Sequence, residues 1–281
     1  MRQLGASGAT KYFNPFQGSS LHESLMDYGY EPYFFVSQQN HLNEMLETMN
    51  FDEVYGRDKL HALWGAGAIP EVLSDQEFFH FTLNTLERKN HKFISFLYNF
   101  ETHNGLDGIK KFRDGDNEVL NRFHTYDEVF GGFLENFKKS KLHENTILIF
   151  TADHSTFPDK HAKNADNKML NQFVDEIPLM IYYKGVERLE INANYQTSIA
   201  FAPTILNLLK IKNQDNYFFG CSIFDGCQNN YFGSIGDFYY KVDENGLSGI
   251  NAAILQEREN FGPTAKLIYE YQLINKYHKF N

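Results

Sequence analysis

One segment of the chain predicts both the fold class and the position of the site: Ile147-Leu148-Ile149-Phe150-Thr151-Ala152-Asp153-His154-Ser155. The apolar residues 147–150 lack the in-and-out alternation of a half-solvated strand, and such a run is typical of a parallel strand covered on both faces. In open α/β sheets, ligands bind at the carboxyl ends of the strands. Asp153 and His154 follow the predicted strand at that end. The segment therefore predicts a buried strand that leads directly into a ligand site.

Asp153 and His154 place a carboxylate and an imidazole side by side. Together these groups can hold a divalent metal ion, which polarises a phosphoryl or sulfuryl oxygen and helps to ionise a nucleophile. The alternative interpretation is a turn in which Asp153 caps the following helix and His154 is solvated. The dipeptide alone does not separate these two interpretations, so the rest of the chain has to decide.

The composition is typical of a packed α/β protein. A chain of 281 residues with 42% apolar and 22% charged residues can bury a sizeable core in one α/β domain. The aromatic share of 16% favours a globular protein over a disordered one. The net charge of −10 argues against a broad nucleic-acid-binding face, and we predict no nucleic-acid partner. No window approaches the roughly 20 apolar residues of a membrane span, and residues 1–5 lack the apolar core of a signal peptide.

Strands and helices are predicted to alternate along most of the chain. Apolar runs predict further strands at 33–36, 51–55, 93–98 and 177–183. Helical spacing and capping signals predict helices at 21–28, 41–49, 74–86, 120–139 and 197–209. This alternation predicts a three-layer α/β sandwich with a mainly parallel sheet. Glycine-punctuated aromatic runs at 217–240 predict a small antiparallel hairpin or meander, and the polar segment 264–279 predicts a terminal helix.

Two local features carry expectations of their own. Gly131 and Gly132 interrupt the helix predicted at 120–139, at a cost of ~1 kcal/mol each relative to Ala. We expect close packing of this pair against the sheet to be the reason. Cys221 and Cys227 lie in a glycine-bounded loop, and their spacing is compatible with a small disulfide in an oxidising compartment as well as with two thiols.

A larger set of segments matches a known family in order and spacing. The longest is the run from Tyr126-Asp127-Glu128 through Lys138-Lys139-Ser140 and Glu144-Asn145-Thr146 to His154. The shorter ones are Gly29-Tyr30, 35–45, Asn50-Phe51-Asp52, Trp64-Gly65, 75–79, Thr102-His103, Ile177-Pro178-Leu179-Met180-Ile181 and Ala202-Pro203-Thr204-Ile205-Leu206-Asn207-Leu208-Leu209. Together they resemble the sulfatase-like phosphoglycerol transferases, the lipoteichoic acid synthase-like family of the alkaline phosphatase superfamily. The resemblance covers residues 21–224.

The resemblance implies a fold and a metal site. The fold is an alkaline phosphatase-like α/β sandwich, in which residues 1–215 form a partial catalytic domain and 216–281 add a C-terminal hairpin or meander and a terminal helix to the same domain. Asp153 and His154 match adjacent ligands of one divalent metal ion, which is manganese or zinc in most family members. His161, in the loop that follows, is a further metal candidate with a looser match.

The resemblance also implies residues that contact the substrate. His103 matches a histidine that binds the transferred phosphoryl group or assists the leaving group. His41 and Asn43 fall in a segment that borders the substrate in family members. A helix-capping or surface role is the alternative for His41, and the sequence leaves the two roles equally open.

Two parts of the family pattern have no match. Family members place a Glu or Asp metal ligand at the end of their first strand and a Thr or Ser nucleophile at the head of the next helix. Residues 1–6 resemble the part of that helix just past the nucleophile, so we expect an N-terminally truncated chain whose nucleophile and membrane-spanning helices belong upstream. Ser7 and Thr10 are hydroxyl residues in this vicinity, but we expect neither to be the nucleophile.

The expected function is therefore that of a metal-dependent transferase or hydrolase. It would move a phosphoglycerol-type or phosphoethanolamine-type head group from a phospholipid donor to an envelope glycan or lipid acceptor. For the complete protein the resemblance implies the outer face of the cytoplasmic membrane or the periplasm, with membrane attachment only through the missing N-terminal segments. The alternatives are a sulfatase or phosphonate monoesterase, although the chain has no sulfatase-type Cys/Ser-x-Pro-x-Arg segment, and a non-catalytic binding module.

Overall fold

A computed structural model describes residues 20–38, 51, 53–102, 110–155, 176–212, 218, 220–227, 231–235 and 238–250. The chain divides into two compact units. One consists of Pro32–Leu189, and the other combines Met1–Glu31 with Glu190–Asn281. The boundary that we predict between residues 215 and 216 remains a prediction. The helices predicted at 41–49 and 264–279 lie outside the described residues.

A three-stranded sheet forms the centre of the larger unit. Its strands are β1 (Glu31–Val36), β2 (Glu53–Tyr55) and β3 (Phe93–Tyr98), in the order β2-β1-β3. β1 runs parallel to β2, and Tyr33 is aligned with Glu53. All residues of β1 after Glu31 are buried, because both faces of this central strand are covered by aromatic clusters.

Helices cover one face of this sheet. They are α2 (Arg57–Trp64), α3 (Asp75–Glu87) and α4 (Glu118–Lys139). α3 begins with the predicted capping box, in which the Ser74 side chain accepts from the backbone N–H of Glu77 and the Glu77 side chain accepts from the backbone N–H of Ser74. The core between helices and sheet is largely aromatic and includes Phe35, Phe78, Phe79, Phe133 and Phe137.

The second face of the sheet carries a smaller aromatic cluster. Phe34 and Val36 of β1 are its buried residues, and Phe96 and Tyr98 of β3 pack against them. Because successive strand residues point to opposite faces, Leu97 joins the helix-side core while Tyr98 lies with Phe96 on the second face. This alternation puts the Tyr98 side chain on the side of the sheet from which it reaches the candidate site.

The apolar part of the segment 147–155 forms β4 (Leu148–Thr151). β4 pairs with β5 (Leu179–Tyr182) in antiparallel orientation, and its four residues are half-buried. This pair differs from the fully covered parallel strand that we expected at this position. An apolar run shows that a strand can be covered, but it does not show the direction of the partner strand. Phe150 packs against Phe130 of α4 with ring centroids 4.5 Å apart, so the strand docks on the predicted helix.

The glycine pair of α4 corrects one expectation. Gly131 and Gly132 are exposed, and a Cβ atom added to either residue would meet no atom within 4 Å outside the neighbouring helix backbone. Close packing against the sheet is therefore not the reason for these glycines. The apolar stripe of α4 contacts the core through residues such as Phe133 and Phe137, and the glycines lie on the solvent side.

The smaller unit contains two helices that the sequence predicts. α1 (Leu21–Met26) begins with a capping box of Ser20 and Glu23, and Gly29 follows it with φ +79°. α5 (Phe201–Leu208) continues a short 3-10 helix, and its N-cap Ala200 supplies no side-chain hydrogen bond. Since Pro203 lies in the first turn of α5, its missing N–H costs this helix no hydrogen bond.

A disulfide and a meander complete the smaller unit. Cys221 and Cys227 form a disulfide, which selects one of the two states that the sequence left open. The meander consists of β6 (Phe232–Ile235), β7 (Phe238–Asp243) and β8 (Gly246–Ile250), all antiparallel. It confirms the predicted hairpin or meander in kind, although it extends further along the chain than 217–240.

Candidate active site

Asp153 and His154 lie directly after β4, at its carboxyl end. Their side chains are 35% and 40% exposed, so both are accessible to a ligand from solvent. The position agrees with the sequence prediction, because the strand ends at Thr151 and Ala152 is the only residue between it and the pair. The residues that follow a strand can thus present polar side chains at the end of a sheet without burying them.

The hydrogen bonds of His154 define which ring nitrogen can act as a ligand. Nδ1 lies 2.6 Å from the backbone carbonyl oxygen of Ser155. Because a carbonyl oxygen only accepts, Nδ1 must donate, and the neutral imidazole then carries its lone pair on Nε2. Nε2 lies 3.7 Å from Oδ2 of Asp153. These two potential ligand atoms therefore lie close together.

Two donors orient the carboxylate of Asp153. Its Oδ1 accepts from the backbone N–H of His154 at 2.9 Å, and its Oδ2 accepts from the hydroxyl of Tyr98 at 2.9 Å. Burial, followed by the charge of Asp153 and this hydrogen bond, raises the pKa of Tyr98 above its ordinary value. Tyr98 therefore remains a protonated donor at neutral pH.

A second polar cluster lies where β3 leaves the sheet. Asp75, the first residue of α3, has no exposed surface. Its Oδ2 accepts from Nδ2 of Asn99 at 2.8 Å, and its backbone N–H donates to Oε2 of Glu101 at 2.9 Å. The segment after β3 is thereby tied to the start of α3. This segment leads to residue 103.

Burial of Asp75 has electrostatic consequences. Desolvation, followed by the charge of Glu101, raises the pKa of Asp75 to about 7, and hydrogen bonds from Asn99 and the backbone oppose the increase. Burial and the charge of Asp75 also raise the pKa of Tyr126 in α4. Oδ1 of Asp75 is buried and has no hydrogen-bond partner within the described ranges. The sequence identified Asp75 only as part of a matching segment and gave no sign of this environment.

Comparison with known proteins identifies the family of this chain. The sequence model of the sulfatase family matches residues 7–211. The chain belongs to the sulfatase family. Curated relatives of this sulfatase-family protein include lipoteichoic acid synthase 1 of Bacillus subtilis (strain 168), 27% identical over 199 residues, which covers 62% of this chain and 31% of the relative. Lipoteichoic acid synthase-like YvgJ of the same strain is 23% identical over 234 residues, which covers 75% of this chain and 37% of the relative.

Solved structures confirm the predicted fold class. The lipoteichoic acid synthase LtaP from Listeria monocytogenes aligns over 99% of this chain and 77% of its own, with a TM-score of 0.66 and 19% identity. An alkaline phosphatase superfamily protein from Vibrio parahaemolyticus aligns over 99% and 74%, with a TM-score of 0.69 and 15% identity. The sulfatase-family chain therefore has an alkaline phosphatase-like mixed α/β fold with additional small antiparallel strands. It spans about a third of the length of the curated relatives named above, since 31% and 37% of these are covered.

The other predicted site residues, His41, Asn43, His103 and His161, all lie outside the described ranges, as do Ser7 and Thr10, for which we predict no catalytic role. Their roles in this sulfatase-family protein remain predictions. Tyr98 is a described residue that the sequence missed and that contacts the predicted pair. A usable signal existed, because Tyr98 is the last residue of a predicted strand and strand ends converge at the site in this fold class.

The Asp153–His154 pair fits the divalent ion that the family implies. A bond from a metal such as zinc to nitrogen or oxygen is ~2.0–2.2 Å long, so two ligand atoms of one ion lie within roughly 4.4 Å of each other. The distance of 3.7 Å between Nε2 and Oδ2 satisfies this condition. Imidazole and carboxylate suit zinc and manganese. Among residues that the structure describes, no cluster of three or more His, Cys, Asp or Glu side chains could hold a metal ion, so further ligands are not assigned.

Proposed function

We propose that this sulfatase-family chain contributes to a metal-dependent transferase or hydrolase that moves a phosphoglycerol-type or phosphoethanolamine-type head group from a phospholipid to an envelope glycan or lipid acceptor. One observation carries the proposal: Nε2 of His154 and Oδ2 of Asp153 lie 3.7 Å apart just beyond the carboxyl end of a strand. The match to lipoteichoic acid synthase 1 supports the transferase class.

The proposed roles of Asp153 and His154 follow from their contacts, and those of His41, Asn43, His103 and His161 follow from the family resemblance alone. Asp153 and His154 hold one divalent ion, manganese or zinc, which when bound supplies positive charge to a phosphoryl oxygen. The carbonyl of Ser155 fixes the imidazole of His154 so that Nε2 is the coordinating atom. His103 binds the transferred phosphoryl group or assists the leaving group, and His161 is a further ligand candidate. His41 and Asn43 border the head group, and the nucleophilic hydroxyl is not assigned.

The proposed location is the outer face of the cytoplasmic membrane or the periplasm. The disulfide between Cys221 and Cys227 supports an oxidising compartment, because disulfides persist there and are rare in the reducing cytosol. No helix among the described residues is both long and apolar enough to cross a membrane. The phospholipid donor and the glycan or lipid acceptor are therefore proposed to meet the catalytic unit at the membrane surface.

Metal binding is the first test of the proposal. We expect the 281-residue chain to bind Mn²⁺ or Zn²⁺ in isothermal titration calorimetry, and we expect Asp153→Asn to abolish this binding because it removes one of two adjacent ligands. Asp58→Asn is the matched control, since Asp58 lies in the same unit and its carboxylate pairs with Arg57 on the surface of α2. A chain that binds neither ion, or an Asp153→Asn variant that binds as well as the unsubstituted chain, would contradict the proposed site.

Turnover distinguishes the competing functions. In a protein that contains both this chain and the nucleophilic hydroxyl of the family, vesicles of fluorescent phosphatidylglycerol should release labelled diacylglycerol in the presence of Mn²⁺, and Asp153→Asn should lose this activity. Hydrolysis of an aryl sulfate without turnover of the lipid would instead support a sulfatase. Metal binding without turnover of either substrate would support a binding module.

A further inference from the structure

We infer that Tyr98 is a positioning residue of the candidate metal site: its hydroxyl holds the carboxylate of Asp153 in the orientation in which Oδ2 and Nε2 of His154 face one ion. The contact joins two residues that lie 55 positions apart in the chain, at the carboxyl ends of β3 and β4. The inference rests on the metal pair of the proposed function and deepens it.

The ring of Tyr98 is held by its neighbours on the second face of the sheet. It contacts Phe100 edge to face, with ring centroids 4.9 Å apart, and it packs against Phe34 at 6.4 Å. Phe34 is itself 6% exposed and belongs to the central strand. Aromatic contacts of this kind restrict both side-chain torsions of a tyrosine. The hydroxyl therefore points toward Asp153 from a rigid support.

The orientation of the Asp153 carboxylate depends on its hydrogen bonds. Its side chain is 35% exposed, so core packing does not fix it, and the terminal torsion of an aspartate is intrinsically broad. The N–H of His154 restrains Oδ1, and the Tyr98 hydroxyl restrains Oδ2. With one donor on each oxygen, the plane of the carboxylate is fixed.

The two hydrogen bonds leave the carboxylate able to coordinate an ion. An ionised carboxylate offers about four lone-pair positions, and Tyr98 and the N–H of His154 use two of them. The Tyr98 hydroxyl acts here as a donor to the carboxylate. Outer partners of this type orient metal ligands, and their loss costs roughly 10- to 100-fold in metal affinity.

The test compares two tyrosines that each lose one hydroxyl group. Tyr98→Phe keeps the ring and removes the donor to Asp153. Tyr182→Phe is the matched control, because the Tyr182 hydroxyl lies 2.8 Å from Nε2 of His143 in the same unit. The Mn²⁺ affinity of both variants and of the unsubstituted full chain is measured by calorimetry, and the unfolding temperature without metal is recorded for each.

We expect Tyr98→Phe to weaken Mn²⁺ binding roughly 10- to 100-fold while Tyr182→Phe binds like the unsubstituted chain. Equal Mn²⁺ affinity of Tyr98→Phe and the unsubstituted chain would overturn the inference and leave the proposed metal site intact. Equal weakening in both tyrosine variants would also overturn it, since the effect would then follow general destabilisation. An unsubstituted chain that binds neither Mn²⁺ nor Zn²⁺ would contradict both the inference and the proposed function, and a chain that binds only Zn²⁺ is compared with both variants by its Zn²⁺ affinity.

Discussion

Asp75 keeps a fully buried carboxyl group at the first residue of α3. Burial, followed by the charge of Glu101, raises its pKa from 3.8 to about 7. Between these two values the folded protein binds a proton that the unfolded chain has released. The contribution of Asp75 to stability is therefore largest below the unfolded pKa, and it is lost as the pH rises through the folded pKa.

The prediction for this residue concerns the pH dependence of stability. Asp75→Asn cannot titrate, so the unfolding free energy of the unsubstituted chain should fall relative to that of the variant by up to ~1.4 kcal/mol per pH unit between about pH 5 and about pH 7. Urea unfolding at several pH values measures both profiles. Profiles that run parallel across this interval would show that Asp75 is ionised throughout. The exposed Asp58→Asn variant serves as the control for a surface carboxylate.

Residues of the site differ in how visible they are in the sequence. Asp153 and His154 are neighbours in the chain, so the sequence shows directly that a carboxylate and an imidazole lie side by side, and the family resemblance then favours a metal pair over a capping turn. Tyr98 and Asp153 are 55 residues apart, and Asp75 and Asn99 are 24 residues apart. These pairs meet only because the end of β3 lies close to the residues after β4 and to the start of α3 in the folded chain. Patterns of neighbouring residues in the sequence do not predict such long-range contacts.

At the scale of elements, α4 shows both the strength and the limit of a periodic pattern. Its apolar stripe predicted the helix and its buried face, and the structure extends the helix from Glu118 to Lys139. The pattern did not explain Gly131 and Gly132, which are exposed and have open space where a Cβ would lie. Periodicity reports which face is apolar, but it does not report how closely another element approaches.

The exposed glycines of α4 lead to a stability prediction. Gly131→Ala and Gly132→Ala should each raise the free energy of unfolding by roughly 0.5–1 kcal/mol, because alanine loses less backbone entropy in a helix and meets no neighbouring atom here. Gly115→Ala is the contrasting variant: Gly115 has φ +84°, and its added Cβ would lie 2.6 Å from Cδ of Lys111. We expect Gly115→Ala to destabilise the protein. Chemical denaturation measures all three, and a loss of stability in both α4 variants would contradict the assignment of that surface as open.

The whole molecule consists of two compact units, and the disulfide and the metal pair belong to different ones. Cys221 and Cys227 close a loop with a sequence separation of 6. The loop between the two cysteines is also linked to α5 through Thr204. The Thr204 hydroxyl donates to the carbonyl of Ala200 at 2.7 Å and accepts from the N–H of Ile223 at 3.0 Å. Chain entropy predicts that a disulfide across so short a loop stabilises the folded protein by roughly 2 kcal/mol.

The prediction for the whole molecule concerns removal of this disulfide. A Cys221→Ser/Cys227→Ser variant should unfold at lower denaturant concentration, with roughly 2 kcal/mol less stability, while its Mn²⁺ affinity stays unchanged because Asp153 and His154 lie in the other unit. Denaturation and calorimetry on the same samples test both parts. A parallel loss of Mn²⁺ affinity would show that the two units are energetically coupled.

Local periodicity and capping were enough to predict the α/β class and most helix and strand positions, and the ordered set of matching segments was enough to predict the family. The metal role of Asp153 and His154 remains a prediction. The folded chain was needed to reveal the antiparallel partner of β4, the open surface at the glycines of α4, the disulfide, and the contacts of Tyr98 and Asp75. The physical reason is that these features depend on which distant segments pack together. Hydrogen bonds and burial between such segments exist only in the folded chain, and a local sequence pattern does not contain them.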